Sequence, residues 1–142
     1  MITANKKVVR RYFEEVLNMG NLKKIRELIA QDYVSHYPAG YELGGGPEDV
    51  EQIVTSVREA FPDVHFTVDD LIAEGEKVVC RWTFQGVQAG NFMGIPPTGR
   101  EATVMGIAVY RVVDGQIAEA WVAWDVLGLM RQLGQTSPTH DA

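Results

Sequence analysis

Residues 102–124, ATVMGIAVYRVVDGQIAEAWVAW, decide the fold. Asp114-Gly115 is the strongest hairpin signal in the chain, because both residues accept the positive φ that a tight two-residue turn demands. It separates a strand over Ala102 to Val112 from another over Ile117 to Trp124, so these two runs pair antiparallel. Upstream, Glu74-Gly75-Glu76 divides two further alternating runs, His65 to Ala73 and Lys77 to Gln85, in the same way. Gly86 to Gly99 holds four Gly and two adjacent Pro and reads as a loop. An antiparallel sheet of about four main strands is the expectation.

Helical spacing occupies the rest. From Thr3, a capping residue type, Val8, Val9, Phe13, Val16 and Leu17 recur every three or four positions until Asn18-Met19-Gly20. Asn21 caps a second helix through Leu22, Ile25, Leu28 and Ile29, and the short link makes a helical hairpin. Asp32 to Gly46 reads as an extended piece followed by a surface loop. Pro47 suits the first position of a third helix, whose stripe is Val50, Ile53, Val54, Val57 and Phe61, and Pro62 stops it. After Asp125, the residues Val126, Leu127, Leu129, Met130 and Leu133 suit a short helix ending at Gly134, and Gln135 to Ala142 reads as a frayed tail. The order predicts one α+β domain over residues 1–134: a cone-shaped, curved antiparallel sheet packed against three N-terminal helices, with a short C-terminal helix.

A length of 142 residues with 46% apolar side chains suffices for one buried core. Thirteen basic against nineteen acidic groups, with no basic patch interleaved with aromatics, argue against a nucleic-acid partner. Lys6, Lys7, Arg10 and Arg11, with Lys23, Lys24 and Arg26, fall at helical spacing as a solvated face. The N-terminal residues lack a signal-peptide pattern and no run of eighteen apolar residues occurs, so a cytoplasmic protein without membrane contact is expected. The single cysteine, Cys80, sits in a strand alternation and reads as buried filler. Three scattered histidines offer no metal-ligand spacing, and no Gly-rich phosphate loop opens a helix, so neither a metal nor another cofactor is expected.

Several motifs occur together. They are Ala60-Phe61-Pro62-Asp63-Val64, the loop Gly94-Ile95-Pro96-Pro97-Thr98-Gly99-Arg100, the hairpin with Asp114-Gly115-Gln116-Ile117, and Trp121 to Asp125 followed by Leu127-Gly128 and Arg131-Gln132-Leu133-Gly134. In this order and spacing, over nearly the whole chain, the sequence resembles the SnoaL-like polyketide cyclases. The resemblance implies the cone fold shared with nuclear transport factor two and ketosteroid isomerase, and a homodimer. It also implies that Asp125, just ahead of the terminal helix, is acid and base in an intramolecular aldol closure. Many relatives carry a histidine within a G-x-H-x-G pattern where this chain has Gln88, which hydrogen-bonds but does not titrate.

The residues themselves allow two roles for Asp125. If the strand parity of Trp121, Ala123 and Asp125 faces inward, the carboxylate enters an apolar hollow, where desolvation raises its pKa toward that of a useful base. Alternatively, Asp125 caps the last helix. His36, in an extended segment expected to cross the cone, is a second catalytic candidate as donor to an enolate oxygen. Trp121, Phe92, Gln88, Tyr33 and Met105 are candidates to bind a hydrophobic, polyketide-like ligand. The leading expectation is a cofactor-free cyclase. The alternatives are another acid-base enzyme of the fold (isomerase, dehydratase, epoxide hydrolase or cofactor-free hydroxylase) and a non-catalytic binding or dimerisation domain.

Overall fold

The computed structural model describes residues 2–37 and 45–135. Helix α1 (Ile2–Arg11) runs directly into wider π-helical turns over Tyr12–Asn18. One 3-10 turn at Leu22–Lys24 leads to α2 (Ile25–Leu28), β1 (Ile29–His36) and α3 (Pro47–Ala60). Four long strands follow, β2 (His65–Glu74), β3 (Lys77–Val87), β4 (Glu101–Val113) and β5 (Gln116–Trp124), and α4 (Val126–Gln132) closes the chain. The predicted frayed tail, with His140, falls outside the described residues apart from Gln135.

The sheet order is β1-β5-β4-β3-β2. Both expected hairpins form, and Asp114 and Gly115 have the positive φ of 50° and 78° that the turn requires. In two respects the sheet differs from expectation. The extended piece is a fifth strand, β1, and it lies parallel to β5, pairing Ile29 with Ile117 and His36 with Trp121. The second helix is correspondingly short, because Ile29 already has extended backbone and joins the ladder instead of the helix. The result is a mixed, curved, open sheet within an α+β fold.

Curvature has local causes. Asp69 has no partner between the Val68–Trp82 and Asp70–Arg81 pairs, and the register of β4 and β5 shifts between Arg111 and Val112. Such unpaired residues bend a strand and raise its twist. The concave face carries Val78, Cys80, Trp82 and Phe84 of β3 and Val104, Ala108 and Tyr110 of β4, all buried against Val9, Phe13 and Val16. At the end of the π-helical turns, Asn18 closes a two-way bridge to β2, donating to Phe66 O at 2.9 Å and accepting from Phe66 N at 2.6 Å. Arg58 of α3 donates to Leu17 O and Asn18 O at 3.0 and 2.7 Å, satisfying carbonyls left open at the helix end.

Gly106 decides how the floor of the sheet is shaped. It pairs with Trp82 across β3 and β4, and a Cβ there would lie 2.2 Å from indole Cζ2. Only hydrogen at this position lets the indole lie across β4. Gly106→Val should therefore destabilise the protein by about 1–3 kcal/mol through overpacking, measured by urea unfolding, while Val at the exposed neighbour Met105 should cost far less.

Candidate functional site

Between the concave face and the helices lies a cavity of about 450 Å³. Tyr12, Phe13 and Leu17 enter it from the π-helical turns, which place neighbouring residues on one inward side. From α3 come Ile53 and Val57 and, one turn apart on the same side, Gln52 and Ser56. The sheet supplies Phe66, Trp82, Phe84, Tyr110, Val122 and Trp124, and β1 with its extension supplies Tyr33 and Tyr37. Phe92 closes one side from the 88–100 loop, packed on Phe61 at 5.4 Å between ring centroids.

No Asp, Glu, His, Lys or Arg lines this cavity among the described residues. Its polar groups are four phenols, the Gln52 amide, the Ser56 hydroxyl and two indoles. Burial holds the Tyr12 and Tyr110 phenols well above the ordinary tyrosine value, and burial likewise raises Tyr33. At neutral pH these groups are protonated donors, and none serves as a base.

The candidates from sequence separate into two sets. Tyr33 and Phe92 line the cavity. Gln88 is fully buried beside it as a brace for the loop that carries Phe92. Its amide donates to Gly90 O and Ile95 O at 3.1 and 2.9 Å and accepts from Thr98 N and Oγ1 at 3.1 and 2.7 Å. With those valences used, Gln88 has little left to offer a ligand.

The other four lie away from the cavity, and for them the structure corrects the placement. The inward parity of β5 is Ala120, Val122 and Trp124, so Trp121 faces out. Asp125 is exposed, and its Oδ1 accepts from Gly128 N at 2.8 Å as the cap of α4. Of its two roles, the capping one is what the geometry realises. His36 stands on the outer face, stacked on Trp121 at 5.4 Å, with Nε2 2.7 Å from Glu119 Oε2. Strand alternation turns it away from the cone that its neighbours Tyr33 and Tyr37 enter. Met105, 58% exposed, is on the outer face too.

On that outer face Glu119 also accepts from Arg111 Nε at 3.1 Å. The His36 hydrogen bond, and then Arg111, hold its carboxyl below the usual range. Cys80 is buried on the concave side, and burial pushes its thiol up to about 12, which leaves it unreactive packing. Among the described residues no group of three or more His, Cys, Asp or Glu is placed to hold a metal ion.

A model of the SnoaL-like polyketide cyclases matches residues 7–133. The chain belongs to that family. Among curated members, it is 32% identical over 138 residues to the aklanonic acid methyl ester cyclase DnrD of Streptomyces peucetius, covering 94% of this chain and 93% of that protein. It is 30% identical over 125 residues to the nogalonic acid methyl ester cyclase of Streptomyces nogalater, covering 87% and 93% of the two. Among solved structures, TsrD from Streptomyces laurentii superposes with a TM-score of 0.85 at 30% identity, covering 94% and 97% of the chains.

Within this SnoaL-like chain the sequence reading did not single out Tyr37, Tyr110, Gln52 or Ser56. Two signals were available. Tyr110 shares the parity of buried Ala108, and Gln52 and Ser56 interrupt an inward helical stripe at a spacing of four. The capping role of Asp125 is directly testable by thermal or urea unfolding. Asp125→Ala should lose about 1 kcal/mol, and Asp125→Asn, whose amide oxygen also caps, should stay within about 0.5 kcal/mol of the parent.

Proposed function

We propose that this family member binds a neutral, flat, polyketide-derived molecule in the aromatic cavity, and promotes ring closure there by confinement and hydrogen bonding. The observation that carries this reading is a roomy cavity with stacking walls and donors but no charged side chain among its described lining residues. Burying a carboxylate beside such walls would be costly, whereas an esterified acid enters without that penalty. The methyl esters named for the two curated relatives fit the same requirement. An aldol closure within the cavity would pass the proton of the substrate's acidic carbon between carbonyls to solvent water, form the carbon–carbon bond to the acceptor carbonyl and return a proton from water to the new alkoxide, with neutral phenols stabilising the developing enolate.

One observation favours a second reading. A cavity wall without a carboxylate or an imidazole suits a binding domain as well as an enzyme. Aklanonic acid methyl ester distinguishes the readings when offered to the parent protein and to Asp125→Asn. The expected outcome is binding, seen as quenching of tryptophan emission by Trp82 and Trp124, tighter than for the free acid. Turnover by Asp125→Asn should stay within about threefold of the parent. A loss of about 100-fold or more would show that the Asp125 carboxylate works as general acid or base and would refute the assignment made here. Ester binding with no turnover by either protein would favour the binding domain.

The homodimer and the cytoplasmic location remain part of the proposal. In support of the dimer, Ile72, Met105 and Ile107 are exposed by 63, 58 and 50% on the convex face beside Trp121. A patch of this kind on a sheet is suited to an isologous contact. Light scattering should give twice the chain mass, and Ile107→Glu should give the chain mass with the fold retained. A monomeric parent protein would remove this part.

A further inference from the structure

We infer that the phenols of Tyr12, Tyr33 and Tyr110 form a donor cluster that reads keto or enol oxygens on one edge of the ligand. The inference deepens the cavity reading above and rests on it. Three elements converge to make the cluster: the start of the π-helical turns brings Tyr12, the inward parity of β1 brings Tyr33, and the inward parity of β4 brings Tyr110. The rings of Tyr12 and Tyr110 meet edge to face at 5.9 Å. Phe13 packs edge to face on both rings, at 5.6 Å from Tyr12 and 6.2 Å from Tyr110.

A phenol that faces an apolar hollow gains a hydrogen bond when a guest molecule offers an acceptor. Tyr12 and Tyr110 both line the cavity with side chains that are buried from bulk solvent. Ser35 follows Tyr33 by two positions on β1. Its Oγ is close to the Tyr33 hydroxyl without a hydrogen bond of normal geometry and is the one buried side-chain oxygen without a partner among the described residues. The rest of the wall, with Phe13, Phe66, Phe84 and Trp82, gives a ring system only stacking faces. With those faces to stack on, a fused-ring ketone would enter with its oxygens toward the Tyr12 and Tyr110 phenols. Because the donors are uncharged and protonated, they suit neutral oxygens, and an enolate only as it forms.

The test uses a matched pair of tricyclic probes, 9-fluorenone and fluorene, which differ at the carbonyl carbon. Binding of each to the full chain is measured by tryptophan quenching, and the fluorenone carbonyl stretch is followed by infrared spectroscopy, for the parent, Tyr12→Phe, Tyr110→Phe and the double variant. Circular dichroism and thermal unfolding check that each variant is folded. The parent should bind fluorenone about tenfold or more tighter than fluorene, with the carbonyl stretch moved to lower frequency. Each Phe variant should lower that preference by about three- to tenfold while binding fluorene as well as or better than the parent.

Equal affinity for both probes, or an unshifted stretch in the bound state, would overturn the donor cluster and leave the cavity reading intact. Equal loss of both probes in the Phe variants would do the same. Binding of neither probe by the folded parent would overturn the cavity reading and the cluster with it.

Discussion

A hollow persists in the core of this domain because the sheet bends, and side chains from the bent sheet and the facing helices are too rigid to fill it. Interiors ordinarily close to crystal-like density. Here the unpaired Asp69 and the register shift after Arg111 curve the strands, and Trp82 lies flat over Gly106, so that it forms a floor instead of a plug. On the opposite side, Asn18 and Arg58 fasten the end of the π-helical turns to β2 and α3. Gln88 fixes the loop that carries Phe92. The walls are therefore braced from three directions, and collapse would break buried hydrogen bonds.

The chemistry follows from what those walls exclude. Charged side chains of the described chain lie outside the cavity: Arg81 pairs with Asp70 and Arg111 with Glu119 on the convex face, and the buried Asp49 accepts from Gly45 N. Ionised groups would need partners that an aromatic cavity does not hold, so the residues that remain inside are neutral donors. Phenols kept protonated by burial bind oxygen and do not abstract protons. Within the SnoaL-like cyclases, this chain accordingly carries a cavity whose described lining residues are aromatic, aliphatic or neutral polar.

Much of the architecture was legible in the sequence, because turn chemistry and periodicity are local. Asp114-Gly115, Glu74-Gly75, Pro47 and Pro62 place their elements within a residue or two. The parallel pairing of β1 with β5 was not legible, since it joins residues nearly ninety apart with no turn between them to announce it. The orientation of β5 stayed open for a related reason. Trp121 suggested an inward face, yet Glu119 on the same parity, paired with Arg111, marked that face as wet. Choosing the other parity would have sent Val122 and Trp124 into the cavity and left Asp125 outside as a cap. Tyr110 and Tyr33 were within reach of the same alternation argument, but their convergence with Tyr12 depends on three-dimensional packing.

A crystal structure of the protein with aklanonic acid methyl ester tests the central claim most directly. The ring system should lie against Trp82 and Phe84, with ligand oxygens at hydrogen-bond distance from Tyr12 and Tyr110 and no carboxylate of the protein in contact. A ligand seated on the convex face beside Trp121 and Asp125, or a carboxylate reaching its reacting carbon, would contradict it.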